Sequence, residues 1–424
     1  MPGESGTRLW HPFADMAAVD GAELLLDAAD GCWVTDADGA RYLDASASLW
    51  CCNLGHRVPE VNAAIAAQLD RLDSYSTFGD YSNAPAEQLA ARLATLAPVD
   101  DARVFLTSGG GDSIDTAAKL ARAHFQHAGQ PERLHIVGRT HGYHGTHGFG
   151  TSIGGIEANT SGWGPLMPHT SSVPYDSLPA LEEELRRVGP QRVAAFFCEP
   201  VIGAGGVLLP PEGYVEGAAA LCREYGVLFV VDAVICAFGR LGTWYGIERF
   251  DVRPDMIAFA KGVSGGILPL GGVVVSGEIA QPYFAAPGGP ILRHGPTYSG
   301  HPVCCAAALA ALDVYERDHL IPRGQQLEGD LAAVLEPLRQ HPAVAEVRAG
   351  LGLLAGIGLT EAARAATPNA PGALQRAARH EGVLVRALPD GIAVSPPLTI
   401  AQDDLRLIGD GIAAALDALV ATHH

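Results

Sequence analysis

Two charged residues stand at the ends of apolar, β-branched runs in the middle of the chain. Asp232 ends the segment LFVVD, and Lys261 ends the next such segment, MIAFAK. Burying either charge alone is costly, so each needs a partner. The two could form a buried salt bridge. Alternatively, pyridoxal phosphate could lie between them, because its aldehyde condenses with a lysine amine and its ring nitrogen needs a carboxylate to stay protonated.

A glycine-rich turn is a candidate site for the phosphate of such a cofactor. Gly109, Gly110 and Gly111 separate an apolar run from a helical pattern in FLTSGGGDSIDTAAKLAR. Free N–H groups at a helix N-terminus bind anions, although a plain strand-to-helix turn also fits three glycines. Tyr143 and His144 follow another predicted strand, where an aromatic ring could stack on the cofactor. Taken singly, both are more typical of packing or of a structural hydrogen bond.

These residues lie on a regular alternation of strands and helices. Glu199 also follows an apolar run, in VAAFFCEP. Polar groups at several strand ends thus point to one crevice. We therefore include His144 and Glu199 among the cofactor-binding candidates. Helical patterns at 113–129 and 215–226 alternate with these runs, which predicts a mostly parallel, doubly wound sheet. The predicted strands are 103–108, 133–138, 193–200, 227–232, 255–261 and 271–277.

The two ends of the chain have a different character from its middle. Residues 1–65 contain turn-rich hairpin patterns, and residues 306–424 combine Ala- and Leu-rich helices with short strands. We expect both ends to build one smaller α/β domain. A large cofactor-binding domain is then expected at 66–305.

Composition excludes several classes of partner. The net charge of the 424 residues is −19 and the basic residues are scattered, which disfavours nucleic acid and anionic membranes. No apolar run reaches the roughly 18 residues of a membrane span, and the N-terminus lacks a secretory signal, so a cytoplasmic location is expected. The eight cysteines show no metal-binding spacing, and we expect no metal site.

Over nearly its whole length the chain resembles the class III (omega) aminotransferases, which are fold type I pyridoxal phosphate enzymes. Eight matching segments occur in the family's order. They are LWHPFADM, DASASLWCCNLGH, TSGGGDSIDTAAKLAR, HGYHG, EPVIGAGGV, VVDAVICAFGR, AFAKGVSGGILPLGG and RHGPTYSGHP. The resemblance implies the fold type I architecture, in which the small domain is built from both termini.

The resemblance also implies roles for residues around the cofactor. Lys261 matches the lysine that carries pyridoxal phosphate and later moves the proton. Asp232 matches the partner of the ring nitrogen, Val234 the residue packed on the ring face, and Tyr143 the stacked aromatic residue.

Further matches concern the phosphate and the substrates. Gly110 and Gly111 fall in the phosphate loop, and Thr297 matches a threonine that reaches the phosphate from the neighbouring subunit. A homodimer, possibly arranged as a tetramer, is therefore implied. Arg386 matches an arginine that clamps a substrate carboxylate, and Trp50 an aromatic wall of the pocket. The alternatives are an Arg386–Asp390 ion pair or a solvated arginine, and a core tryptophan.

The chain departs from the family pattern at several positions. Ala233 stands where glutamate is usual, which removes a hydrogen-bonding carboxylate expected near the cofactor. Gly109 and Gly111 stand where serines are frequent. These changes could weaken cofactor retention, so an impaired relative is an alternative. None of them removes an atom that the reaction requires.

The predicted activity is transfer of an amino group from an amine or omega-amino acid to pyruvate or another 2-oxo acid, with ping-pong kinetics. A 7,8-diaminopelargonate aminotransferase is the nearest alternative, but Phe13 and Cys51 replace its usual tyrosine and tryptophan. A nicotinamide-dependent dehydrogenase is a weak alternative from another class. Gly203 and Gly205 follow a strand, but Leu208 occupies the third glycine position.

Overall fold

The computed structural model describes residues 6–421, whose strands and helices we number in chain order. The strands are β1 (Leu26–Asp30), β2 (Trp33–Asp36), β3 (Arg41–Asp44), β4 (Arg103–Thr107), β5 (His135–Arg139), β6 (Thr170–Val173), β7 (Val193–Cys198), β8 (Leu228–Asp232), β9 (Met256–Phe259), β10 (Gly271–Val275), β11 (Val344–Arg348), β12 (Ala355–Leu359), β13 (Val383–Leu384), β14 (Arg386–Ala387) and β15 (Gly391–Val394). The helices are α1 (Met16–Val19), α2 (Ala47–Trp50), α3 (Pro59–Arg71), α4 (Ala84–Leu96), α5 (Gly110–His127), α6 (Gly148–Ile153), α7 (Glu157–Thr160), α8 (Leu178–Val188), α9 (Tyr214–Glu224), α10 (Gly277–Phe284), α11 (Pro302–Arg317), α12 (Leu320–Gln326), α13 (Glu328–Leu335), α14 (Glu361–Ala366), α15 (Ala370–His380) and α16 (Gln402–Ala421).

A seven-stranded sheet in the order β4-β10-β9-β8-β7-β5-β6 forms the centre of the molecule. All neighbours are parallel except β10, which is antiparallel to both β4 and β9. The mostly parallel sheet is confirmed, and every strand predicted for it is present. The edge strand β6 was not predicted, because its sequence TSSV lacks the long apolar side chains of a central strand.

The continuous apolar runs of the central strands arise because helices cover both faces of the sheet. Phe197 and Val230 pack in a cluster with Ile114 of α5, whereas Phe196 and Val231 belong to the cluster that contains Ala218 of α9. Successive strand residues point to opposite faces, so a strand buried on both sides shows no polar alternation. The sheet therefore holds its strand ends in fixed positions.

The two chain ends meet in smaller sheets. Strand β13 pairs in parallel with β3, so the N-terminal strands β1 to β3 share a sheet with a C-terminal strand. A separate sheet has the order β11-β12-β15-β14. The boundaries proposed for the domains stay a prediction. Across residues 6–421, no helix combines the length and the apolar character that crossing a membrane requires.

Candidate active site

The carboxyl ends of β5, β7, β8 and β9 open into a cavity of about 540 Å³. Parallel strands place such ends at one edge of a sheet, where ligands bind in folds of this kind. Apart from Thr297, every residue predicted for the site lies here. The lining comprises Phe13, Leu49, Trp50, Gly110, Gly111, Ile114, Tyr143, His144, Gly145, Thr146, His147, Ile156, Ala158, Asn159, Glu199, Ala204, Asp232, Val234, Ile235, Lys261, Arg386, Ala387, Leu388 and Pro389.

The carboxylate of Asp232 is held by a histidine rather than by the lysine. His144 Nδ1 lies 2.8 Å from Asp232 Oδ2, and the backbone N–H of Val234 donates to Oδ1 at 3.0 Å. Asp232 and His144 are both buried. Within residues 6–421, the ion-pair partner of Asp232 is His144, and no ion pair joins Asp232 to Lys261. The alternative of a buried Asp232–Lys261 salt bridge is therefore wrong.

Lys261 presents a free amine to the cavity. It lies two residues beyond β9, as the first residue of a 3-10 turn (Lys261–Ser264), and its φ of +49° is an uncommon backbone conformation for a side-chain-bearing residue. Such strain concentrates at functional sites. Burial lowers the pKa of Lys261, although the charge of Asp232 opposes this. Its Nζ lies 5.7 Å from the centroid of the Trp50 ring.

The glycine turn lets three segments approach one another closely. Helix α5 begins at Gly110, three residues earlier than predicted, so the turn itself supplies first-turn N–H groups that no helical carbonyl can accept from. A β-carbon on Gly110 would lie 3.1 Å from Cγ1 of Val234. A β-carbon on Gly145, of the HGYHG segment, would lie 2.9 Å from Cα of Gly111. At position 145 glycine is needed because the neighbouring atom belongs to the backbone.

Glu199 fixes the loops around the cavity. Its Oε1 accepts a hydrogen bond from the N–H of Tyr143 at 3.1 Å, and its Oε2 accepts one from Gly203 at 3.0 Å. Burial raises the pKa of Glu199, while the nearby His144 opposes the increase. Tyr143 is half-buried in the cavity wall, and burial raises its pKa. Glu199 thus connects the HGYHG segment to the loop after β7.

Arg386 places an unpaired guanidinium in the wall of the cavity. Asp390, its alternative partner, is held instead by Arg348, with contacts of 2.7 and 3.1 Å. Within residues 6–421, Arg386 has neither an ion pair nor a side-chain hydrogen bond. The Arg386–Asp390 ion pair considered from the sequence is therefore wrong. Burial lowers the pKa of Arg386.

Two residues singled out from the sequence lie outside the cavity. Thr297 is exposed on this chain and does not line it, so a contribution from a neighbouring subunit stays a prediction. Ala233 is completely buried in the main core rather than in the cavity wall. The side chain of Ala233 itself therefore does not line the cavity.

The glycines after β7 serve packing and not a dinucleotide turn. A β-carbon on Gly205 would overlap the carbonyl oxygen of His141. The segment then forms a bridge between Ile202 and Leu208 and does not enter a helix. The dehydrogenase alternative is therefore wrong.

Several cavity residues were not predicted. The cavity is also lined by His147, Asn159, Leu388 and Pro389. Phe13 lines it too, although in the sequence it stands out only as a departure from a relative. Leu388 and Pro389 come two and three residues after Arg386, so proximity in sequence was a usable signal. Asn159 lies on the short helix α7, and no pattern in the sequence connects that segment to a strand end.

The comparisons with known proteins decide the family. The family model described as aminotransferase class-III matches residues 16–416. The chain is a class III aminotransferase. An omega-aminotransferase of Caulobacter vibrioides is 36% identical over 93% of this chain and 94% of its own length. An adenosylmethionine-8-amino-7-oxononanoate aminotransferase of Nitratidesulfovibrio vulgaris is 35% identical over 97% of this chain and 80% of its own. A crystal structure of a thermostable (S)-enantioselective omega-transaminase from Thermomicrobium roseum superposes with a TM-score of 0.92, at 38% identity over 97% of this chain and 96% of the other.

The class III aminotransferase has the fold type I architecture and depends on pyridoxal phosphate, as the sequence predicted. The chemistry of the cavity fits this cofactor. It offers a free, half-buried amine at Lys261, a buried carboxylate at Asp232 and unpaired N–H groups at the start of α5. These groups match an aldehyde, a ring nitrogen and a phosphate.

Proposed function

We propose that this aminotransferase transfers an amino group from an amine or omega-amino acid to pyruvate or a related 2-oxo acid, in two half-reactions with ping-pong kinetics. The unpaired guanidinium of Arg386, in the same cavity as the free amine of Lys261, supports this proposal most directly. A planar guanidinium binds a carboxylate through two parallel hydrogen bonds. A carboxylate-bearing acceptor is thereby held beside the reacting amine.

In this proposal the residues around Lys261 prepare proton transfer. Bound pyridoxal phosphate supplies an aldehyde that condenses with amines and a ring that withdraws electrons. Because burial lowers the pKa of Lys261, more of its Nζ is neutral near pH 7 and can remove a proton from the donor carbon. His144 holds the Asp232 carboxylate in place, and that carboxylate would keep the ring nitrogen of the bound cofactor protonated. The N–H groups of Gly110 and Gly111 would hold its phosphate.

The cavity walls orient the substrates. Trp50 and Tyr143 provide aromatic surfaces on which an amine substituent or the cofactor ring can pack. Val234 and Tyr143 line the same cavity and would both pack against the cofactor ring. The apolar walls exclude water, which strengthens the interaction of Arg386 with a carboxylate.

An absorption spectrum of the purified holoenzyme tests both half-reactions. We expect a visible cofactor band that 1-phenylethylamine bleaches and pyruvate restores. Bleaching without restoration by any 2-oxo acid would contradict the assigned acceptor class. Absence of the band after incubation with pyridoxal phosphate would point to the impaired relative.

The lysine assignment has an internal control, because the chain contains two lysines, Lys119 and Lys261. Borohydride reduction of the holoenzyme makes the attachment of the cofactor permanent. Peptide mass mapping should find the added mass on Lys261 alone. Lys119 lies on α5 and contacts His294. Recovery of the added mass on Lys119 would overturn the assignment.

The diaminopelargonate activity can be separated by substrate. The side chain of Phe13 lines the cavity and brings no hydroxyl group where that relative is expected to have a tyrosine. We therefore expect no turnover of 8-amino-7-oxononanoate with adenosylmethionine as donor. Turnover at a rate comparable to that with 1-phenylethylamine would favour the alternative.

We also propose a homodimer in which Thr297 completes the phosphate site of the neighbouring subunit. Thr297 is exposed on the single chain and lies outside its own cavity. Large apolar side chains are also exposed, which a second copy would cover. They include Trp10, Trp163, Phe284 and Ile291, each at least two-thirds exposed.

A further inference from the structure

A second cavity, of about 310 Å³, adjoins the active site at Arg386. We name it the arginine cavity. It has Arg386 in common with the active-site cavity, and Ser48, in its wall, is followed directly by Leu49 and Trp50 of the active site. Its lining consists of Leu24, Ser46, Ser48, Gln375, Arg376, Arg379, Leu384, Val385 and Arg386.

Three arginines line the arginine cavity, Arg379 and Arg386 half-buried and Arg376 exposed, and its lining contains no acidic residue. In the part of the chain that the structure describes, Arg376, Arg379 and Arg386 form no ion pair and no side-chain hydrogen bond. This is unexpected in a chain with 47 acidic and 28 basic residues. Like charges repel one another in a concave site, where the field is focused.

Local structure explains only part of this arrangement. Arg379 lies in the last turn of α15, where the helix dipole favours a cation, and Arg376 lies one turn before it. Arg386 comes from a different element, β14, and converges on the same space. The polar neighbours are already engaged: Gln375 donates to the carbonyl of Val385 at 2.9 Å, and Ser46 donates to Asp44 at 2.9 Å. The Asp44 carboxylate itself pairs with His56, so within residues 6–421 none of the three arginines has an ion-pair partner.

We propose that the arginine cavity is a second oxyanion-binding site, which takes a carboxylate or a group of like charge and competes for Arg386 with the acceptor in the active site. This step rests on the proposed function of Arg386. An anion held by Arg376 and Arg379 draws the guanidinium of Arg386 towards it, because a guanidinium has a limited set of donors to share. The apparent KM for pyruvate then rises while kcat is unchanged. The anion is either a free ion or the remote carboxylate of a long-chain omega-amino acid.

Calorimetric titration of the holoenzyme with sulfate tests the site without any turnover. We expect saturable binding that R376Q and R379Q each weaken by about tenfold, as for loss of one charge-assisted hydrogen bond. R364Q is the matched control, because Arg364 is an exposed arginine on α14 that lines neither cavity. Equal sulfate affinities in the wild type, R379Q and R364Q would overturn the proposal.

Kinetics distinguish the two sources of the anion. For a free ion, sulfate raises the KM for pyruvate in the wild type more than chloride does at equal ionic strength, and R379Q removes the difference. For a substrate carboxylate, R379Q lowers kcat/KM for long-chain omega-amino acids and leaves 1-phenylethylamine unchanged. If neither parameter separates R379Q from R364Q, the cavity has no role in turnover and the proposal fails. The proposed function itself is judged separately, by restoration of the visible band with pyruvate.

Discussion

At the scale of single residues, Arg386 provides the sharpest prediction about specificity. Replacing it by glutamine should lower kcat/KM for pyruvate by roughly 10- to 100-fold, because a hydrogen-bonded carboxylate contact contributes about 1.5–3 kcal/mol. An aldehyde acceptor such as butanal has no carboxylate, so its kcat/KM should change little. Steady-state kinetics with both acceptors measure this difference.

R364Q serves again as the control for Arg386, since it removes the same charge from an exposed helix. A loss of equal size for pyruvate and butanal would indicate damage to the site as a whole. It would contradict a specific role for Arg386 in carboxylate binding.

At the scale of elements, the contact between the HGYHG segment and the glycine turn decides whether the phosphate site forms. Gly145→Ala should lower the free energy of unfolding by about 1–3 kcal/mol and weaken cofactor retention. Gly145 has a φ of +85°, and its β-carbon would meet the backbone of Gly111. Thermal unfolding and the ratio of visible to ultraviolet absorbance measure both effects.

Gly109→Ala is the matched control for that substitution. No atom lies within 4 Å of a β-carbon at Gly109, and its φ of 175° is extended backbone open to any residue. The control should behave as the wild type. If both alanine variants bind the cofactor equally well, close approach at Gly145 is not what shapes the site.

Asp44 anchors the segment that carries Trp50 into the cavity. Its carboxylate accepts hydrogen bonds from Ser46, from Ser48 N–H at 2.7 Å and from His56 at 2.8 Å. Burial opposes the charge, but the bonds from His56 and Ser48 outweigh it and lower the pKa of Asp44. Asp44→Asn should therefore cost about 1.5–3 kcal/mol of stability near pH 7.

The pH dependence of this effect has a definite sign. A carboxyl whose pKa is lower in the folded state contributes stability above its ordinary pKa, and that contribution is lost as the pH falls below about 4. The wild type and Asp44→Asn should therefore converge in stability under acid conditions. Denaturant unfolding at several pH values measures this, and a difference that is constant with pH would contradict the assignment to Asp44.

At the scale of the whole molecule, sharing of Thr297 between subunits predicts complementation. Lys261→Ala and Thr297→Ala should each be strongly impaired as homodimers. In a mixed dimer, one of the two sites combines a native Lys261 with a native Thr297 from the other subunit. Co-expression with two different affinity tags should therefore recover activity in the doubly purified fraction. No recovery would indicate that Thr297 acts within its own chain or not at all.

Much of the fold and of the site followed from the sequence because its signals are local. Burial of a strand is indicated by the apolar runs that end in Asp232 and Lys261. A tight turn is indicated by the glycines before a helical pattern. Since parallel strands end at one edge of a sheet, predicting the sheet also brought these residues together. The family resemblance added Val234, Arg386 and Trp50, which no local pattern distinguishes.

Pairing between distant residues was decided by the tertiary structure alone. His144 bonds to Asp232, 88 positions later in the chain, and Lys261 is left free. Arg348 pairs with Asp390, 42 positions later, so Asp390 does not pair with Arg386. Such choices depend on which side chains the packed loops bring within hydrogen-bonding distance, and sequence spacing does not encode them. The arginine cavity has the same origin. Its three cations stand on two elements, α15 and β14, and their shared environment exists only once the chain is folded.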